Sequence, residues 1–265
     1  MEKLKKSLNS KTKLLILNTP HNPTGKILTY TELEQIAHIL KAFPRVLVVS
    51  DEVYEYMIYD DFKTLPRMSA IPGMWDRTIT VHSAGKFLSA TGLRIGWSIA
   101  PKNIINSLHA IHQYSTFCMN GPLQNAVAES LEIANNPYKG HENYYQWLRQ
   151  HYQDSRDYFI ENLEKIDDFK GKFWKPEGSY FVLVDISKDK IPEHNYVLDG
   201  DDGSNYTKDF KYVLNLAHTK KVSVIPISLF YTEQHKHLGE NLVRLAFCKK
   251  KETMDKAFDN LKRKC

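Results

Sequence analysis

Val46-Leu47-Val48-Val49-Ser50-Asp51-Glu52-Val53-Tyr54 (46–54) is an apolar run that stops abruptly on polar side chains. Four apolar residues in a row, three of them β-branched, read as a strand buried on both faces. Working outward, Leu14–Leu17 is a similar short run ended by Thr19-Pro20. Between the two runs, Thr29-x-x-Glu32 has the form of a capping box. Leu33, Ile36, Ala37 and Leu40 follow at helical spacing, and Pro44 comes just after them. On the other side, Thr78–Val81 reads as a third strand and Ile95–Ala100 as a fourth. This strand-helix-strand rhythm predicts an α/β fold: a mostly parallel sheet covered by helices on both faces.

Farther along, Leu123–Ile133 carries apolar residues at helical spacing, and Tyr144–Ile166 reads as one long helix leaving a first domain for a second. In the second, Tyr180–Ile186, Val222–Ile225 and Leu242–Phe247 read as strands, and Lys208–His218 and Glu252–Leu261 as helices. The expected division is a large domain over residues 1–150 and a small α+β domain over 151–265.

The 265 residues are 42% apolar and 25% charged, the balance of an ordinary globular chain. The net charge of +5 comes partly from Lys3, Lys5, Lys6, Lys11 and Lys13 at the start and Lys262, Arg263 and Lys264 at the end. No aromatic residues interleave with these charges, so they read as solvated ends and not as a nucleic-acid surface. Cys118, Cys248 and Cys265 are odd in number and scattered, which fits neither a disulfide framework nor a metal knuckle. A reducing compartment is the default. No apolar run reaches the roughly 18 residues that a membrane helix needs, and residues 1–13 lack the apolar stretch of a secretory signal. Asp199-Gly200-Asp201-Asp202-Gly203 looks at first like a calcium loop. Gly203 and Ser204 at its fifth and sixth positions and Phe210 at its twelfth break that pattern, and a surface turn is expected.

In an open α/β sheet, ligands bind outside the carboxyl ends of the strands. Three such ends carry unusual polar residues: Asn18-Thr19-Pro20-His21-Asn22-Pro23-Thr24-Gly25, Ser50-Asp51-Glu52-Val53-Tyr54, and Ser83-Ala84-Gly85-Lys86. If neighbouring strands pair, Asn22, Asp51, Tyr54, Ser83 and Lys86 meet in one crevice. That set suits Schiff-base chemistry. A lysine amine can attack an aldehyde. A carboxylate can keep a pyridinium nitrogen protonated, so that the ring accepts electrons. Asn22 and Tyr54 can donate to a ring oxygen, and Ser83 with Arg94 can hold a phosphate. Taken singly, each residue has an ordinary role: Lys86 a solvated charge, Asp51 or Ser83 a helix cap, Tyr54 a core-edge phenol, Asn22 a turn former, Arg244 half of an ion pair. Ser83-x-x-Lys86 also fits the serine β-lactamase pattern, but that chemistry needs Ser-Asp-Asn and Lys-Thr-Gly elsewhere, and neither occurs.

Asn-Pro-Thr-Gly at 22–25, Asp-Glu-Val-Tyr at 51–54 and Ser-Ala-Gly-Lys-Phe-Leu-Ser-Ala-Thr-Gly-Leu-Arg-Ile-Gly-Trp at 83–97 resemble the fold-type I, class I and II aminotransferases. Pro-Gly-Met-Trp-Asp-Arg-Thr at 72–78, Pro-Glu-Gly-Ser-Tyr-Phe at 176–181 and Val-Ile-Pro-Ile-Ser-Leu-Phe-Tyr at 224–231 carry a narrower match. They resemble the kynurenine–oxoglutarate transaminase group, also known as glutamine transaminase K or cysteine-S-conjugate β-lyase. The resemblance implies the fold of that family, with residues 1–150 as part of its pyridoxal-phosphate (PLP) domain. It implies that Lys86 forms the Schiff base and moves the substrate α-proton. Asp51 would pair with the pyridinium nitrogen, Tyr54 and Asn22 with the ring oxygen, and Ser83 and Arg94 with the phosphate. Arg244 would clamp the substrate carboxylate, with Asn22 nearby, and Phe117 would line the substrate pocket at a dimer interface. Cys118 departs from the histidine expected beside it. The implied reaction transfers an amino group from kynurenine, glutamine or an aromatic amino acid to a 2-oxo acid, with cysteine-conjugate β-elimination as an alternative. The implied assembly is a homodimer, in the cytoplasm or mitochondrion, with no metal, nucleic acid or membrane partner.

The match starts near Lys11, well inside the family's chain. By that comparison the first strands of the large domain, part of the phosphate loop, a ring-stacking aromatic and the arm over the substrate precede this stretch. Three expectations stand side by side: a fragment of a working transaminase, one piece of a split enzyme, or a homologue that binds or scaffolds without activity of its own. Four strands would then form a sheet with two exposed edges.

Overall fold

The computed structural model describes residues 1–191, 196–201 and 203–263. Asp202, Lys264 and Cys265, read above as part of a turn, a basic end and a third thiol, lie outside the described residues. The chain forms two compact units. One comprises Met1–Asn22, Lys26–His151 and Glu177–Ser179; the other comprises Pro23–Gly25, Tyr152–Pro176 and Tyr180–Cys265.

The first unit is built on a four-stranded sheet in the order β1 (Leu14–Asn18), β2 (Leu47–Asp51), β3 (Thr78–Ser83), β4 (Gly96–Ile99). The first two pairings are parallel and β3–β4 is antiparallel. Register places Asn18 beside Asp51, and Asp51 beside Val81. Helix α1 spans Glu2–Ser7 and α2 spans Tyr30–Leu40. The capping box that opens α2 is present: Thr29 Oγ1 accepts from the Glu32 amide, and Glu32 accepts from the Thr29 amide. Leu33, Ile36, Ala37 and Leu40 are buried with Val46, Val48, Met68, Ile71 and Met74.

Helices on both faces of the sheet were expected, and here the structure differs. Leu15 and Leu17 pack with α2, while Leu14 and Ile16, which alternation turns the other way, are 45% and 65% exposed. Among the described residues, one face is therefore covered and the other is open at β1. Strand bounds also shift by a residue: Val46 precedes β2, and β4 begins at Gly96.

Arg77, in the Pro-Gly-Met-Trp-Asp-Arg-Thr stretch, ties this layer together. Its Nε donates to the Val46 carbonyl at 2.8 Å and its Nη1 to the Leu40 carbonyl at 3.1 Å, and Nη2 reaches the Phe43 carbonyl. A cation at a helix C-terminus satisfies carbonyls that have no partner within the helix. Beyond the sheet come α3 (Ala84–Phe87), α4 (Lys102–Ser115) and α5 (Gly121–Ile133). Helix α4 was not anticipated from sequence. It buries none of its residues, and its apolar side chains Leu108, Ile111 and Tyr114 are exposed.

Helix α6 (Tyr144–Leu163) runs across the division between the units. The second unit holds an antiparallel sheet ordered β5 (Phe173–Trp174), β6 (Phe181–Asp185), β8 (Leu242–Ala246), β7 (Ile225–Pro226). The strand expected at Val222–Ile225 is observed only as the two residues of β7, Ile225–Pro226. Helices α7 (Lys208–Lys220) and α8 (Lys251–Lys262) complete this unit. Phe159 lies 5.1 Å from Phe258 and 6.2 Å from Phe247, ring to ring, within its core. The expected surface turn at 199–203 is seen in its described residues: Gly203 N–H donates to Asp201 Oδ1 at 3.0 Å, and Gly200 and Gly203 both have positive φ.

Arg77→Ala removes charge-assisted bonds to three carbonyls at once, and a loss of about 2 kcal/mol is expected. Urea unfolding followed by circular dichroism measures it; an unchanged midpoint would show that the helix end holds without this guanidinium.

Candidate active site

The parallel pairing of β1, β2 and β3 brings their C-terminal ends side by side, as their polar sequences require for a shared site. The main-chain carbonyl of Asp51 is the meeting point. It accepts from the Thr19 amide at 3.0 Å and from Asn18 Nδ2 at 3.2 Å. Asn18 Oδ1 in turn accepts from the Asn22 amide at 2.7 Å. One side chain thus couples the Asn22 loop to the Asp51 strand end. Sequence reading singled out Asn22 and passed over Asn18; an amide as the last residue of an apolar strand was the available signal.

The Asp51 carboxylate is partly buried and accepts from the Val53 amide at 3.4 Å. Burial pushes its carboxyl above the usual range, against the opposing pull of the Val53 amide and the Lys86 charge. Lys86 sits on α3, one turn past the end of β3, and its Nζ stands 5.6 Å from the centre of the Tyr54 ring. Tyr54 itself is buried. Asp51, Tyr54 and Lys86 are therefore close, and Asn22 joins them through Asn18.

Ser83 is the last residue of β3, three before Lys86. The chain then returns beside it: the Ala84 amide donates to Ile95 O at 3.1 Å, and Thr91 Oγ1 donates to Gly85 O at 3.1 Å. A Cβ on Gly85 would stand 2.9 Å from Thr91 Cα, so only glycine lets the loop close here. Arg94 ends this loop in the left-handed region, φ 55°, with its Nη1 on the Thr91 carbonyl at 3.3 Å. That conformation costs an arginine roughly 1 kcal/mol or more, and Arg94 is exposed at the same end of β3 and β4 as Ser83.

Phe117 follows α4, is 82% exposed and also has positive φ. Its neighbour Cys118 is an exposed free thiol. Arg244 belongs to the second unit, on β8 between β6 and β7. Its guanidinium lies over the Phe181 ring at 4.0 Å and the Phe230 ring at 5.3 Å, within cation–π range. An apolar groove of about 480 Å³ in that unit, between α8 and Val222–Val224, contains none of the expected site residues.

One further stretch, distant in sequence, supports the first unit. Pro-Glu-Gly-Ser-Tyr-Phe contributes Glu177, whose Oε2 accepts from the Ile27 amide at 2.9 Å, and Ser179, whose amide donates to Met57 O at 2.9 Å. A Cβ on Gly178 would meet Met57 O and Pro20 Cβ, each at 2.8 Å.

The family profile for aminotransferase class I and II matches residues 1–261. The chain belongs to the class I and II aminotransferases. A kynurenine–oxoglutarate transaminase from Dictyostelium discoideum is 39% identical, with 98% of this chain matched to 58% of that protein. Kynurenine–oxoglutarate transaminase 3 from Bos taurus is 38% identical, over 98% of this chain and 55% of its own length. The structure of Bna3p from Saccharomyces cerevisiae superposes with a TM-score of 0.84 at 35% identity, covering 98% of this chain and 59% of Bna3p. N-succinyldiaminopimelate aminotransferase from Mycobacterium tuberculosis follows at 0.82 and 30%, covering 98% and 60%. The chain thus spans little more than half the length of these relatives.

The raised Asp51 carboxyl has a consequence for stability. Its folded form keeps a proton that the unfolded chain gives up near the ordinary carboxylate value. Stability therefore falls as pH rises through the window from that value to the folded one, and the cost persists above it. Asp51→Asn cannot ionise and can still accept the Val53 amide. The ligand-free variant is expected to gain stability over the wild type as pH is raised from about 4 to 7. Urea midpoints at both ends measure this; a difference independent of pH would remove the buried charge as its source.

Proposed function

We propose that this chain is the catalytic part of a PLP-dependent transaminase, moving an amino group from an amino acid to a 2-oxo acid with Lys86 as the cofactor lysine. The observation that carries the reading is the grouping of the Lys86 amine, the Tyr54 ring and the partly buried Asp51 carboxylate at adjoining strand ends. The residues fit PLP. A desolvated carboxylate is suited to a cationic ring N–H, which would replace the water that Asp51 has lost. Tyr54 and Asn22 would orient the ring through its oxygen, and Ser83 and Arg94 would hold the phosphate by hydrogen bond and charge. The bound group would supply an electron sink for the pair left when the substrate α-proton departs. Lys86 would hold the cofactor, and its amine would take and return the proton at the substrate α-carbon. Asp51 would keep the ring nitrogen protonated. Arg244 would hold the substrate carboxylate, with its guanidinium over the Phe181 ring.

The names of the relatives support kynurenine as amino donor and oxoglutarate as acceptor, with glutamine and aromatic amino acids in the same class. A homodimer is the expected assembly. It is supported by an exposed apolar row on α4 and just beyond it: Leu108, Ile111, Tyr114 and Phe117. The cytoplasm or mitochondrion is the expected compartment, in keeping with the free thiols of Cys118 and Cys248. Among the described residues, no helix is long and apolar enough to cross a membrane.

Adding PLP to the chain is expected to produce a visible absorption band that Lys86→Ala abolishes. A correctly folded wild type without that band would refute cofactor binding by this chain. Arg244→Ala is expected to raise KM for amino acids by roughly 30-fold or more while the band is kept. An unaltered KM would take Arg244 out of substrate binding.

A further inference from the structure

Behind the strand end that carries Asp51 lies a group of charges that the transamination reading does not use. Alternation along β2 sends Ser50 to the face opposite Asp51, and Glu52 follows it. Glu52 is fully buried, and its Oε1 accepts from Ser50 Oγ at 2.9 Å. Its other oxygen is bound by Arg67 Nη1, and Arg67 Nη2 binds Glu55 Oε2. The remaining Glu55 oxygen lies 2.7 Å from Nδ1 of the buried His82. The backbone between the two glutamates is a tight turn. The Glu55 amide donates to Glu52 O at 2.9 Å, and the Met57 amide to Tyr54 O at 2.8 Å.

One planar guanidinium therefore grips both ends of a four-residue turn, and Tyr54 sits inside that turn. The same turn packs against the helix that bears Lys86: the Tyr56 ring is 5.6 Å from that of Phe87, the residue next to Lys86. His82 stacks on Trp97, which meets Phe87 edge-on at 6.2 Å. Burial pushes the Glu52 carboxyl upward even with Arg67 attached. For Glu55 burial also pushes upward, but the bonds from His82 and Arg67 outweigh it and hold the carboxyl below its usual value. Two buried carboxylates on one arginine are a poor source of net stability, since desolvation offsets much of the attraction. What such a cluster supplies is a fixed geometry.

We infer that Arg67 is a positioning residue of the active site: by clamping Glu52 and Glu55 in one fork, it fixes the turn that presents Tyr54 to Lys86 and, through Glu52, the strand end that presents Asp51. The inference rests on Lys86 being the cofactor lysine, and its test separates the two. Arg67→Gln removes the clamp. Arg67→Lys keeps a charge but cannot reach two carboxylates in one plane. Both variants are expected to weaken PLP binding about tenfold, as loss of outer partners does for other bound groups, and to move the pH midpoint of the visible band. In a double-mutant cycle, Arg67→Gln should add little on a Tyr54→Phe background. Without cofactor, exchange of the Glu55 and Met57 amides should quicken about tenfold while amides of β8 are unaffected. Full rescue by lysine, strict additivity with Tyr54→Phe, or unchanged exchange would each overturn the inference. Should Arg67→Gln fail to fold, Glu55→Gln leaves Arg67 on Glu52 and carries the same readouts. If the wild type shows no band, the functional reading falls, and amide exchange alone decides whether Arg67 holds the turn.

Discussion

The parallel ladder of β1, β2 and β3 is the constraint from which the site follows. Its register sets Asn18 beside Asp51 and Asp51 beside Val81. A slip of one residue would turn Asp51 to the α2 face and Glu52 to the site face, since side chains alternate strictly along a strand. Asp51 and Glu52 are neighbours with the same kind of head group and opposite tasks. One faces the proposed cofactor position, and the other is locked behind the sheet by Ser50 and Arg67. The Asp51 carbonyl, bonded by both Thr19 and Asn18, secures that register where the ladder ends.

Much of this was legible in the residues. Short apolar runs with turn formers after them gave β1, β2 and β3, and a capping box gave the start of α2, because these signals are local and repeat at fixed spacing. The candidate residues Lys86, Asp51 and Tyr54 were found because polar groups directly after buried strands are unusual. What escaped was non-local. Arg77 reads as one more charge in sequence, and its three carbonyl partners lie more than 30 positions away. The Arg67–Glu52–Glu55–His82 cluster joins two loops and a strand, and no periodicity announces it. Helix α4 escaped for the opposite reason: its apolar residues face outward, so amphipathic reasoning had no core to point to.

Two arginines of the second unit differ in how they are kept. Arg156 is fully buried and bonded to Asp157 and to the Pro176 carbonyl at 3.1 Å. Arg244 instead lies over aromatic rings, those of Phe181 and Phe230.

The outer side of β1 pairs with no other strand among the described residues, and Leu14 and Ile16 stand uncovered on it. Its amides and carbonyls form a vacant template one strand wide, with a greasy face to match. Any extended segment, from another molecule or another polypeptide, could dock there by main-chain bonding without touching the Asn18–Asp51 junction at the far end. Handling of this chain at high concentration will therefore be governed by that margin, and a charged residue at Ile16 is the simplest way to blunt it.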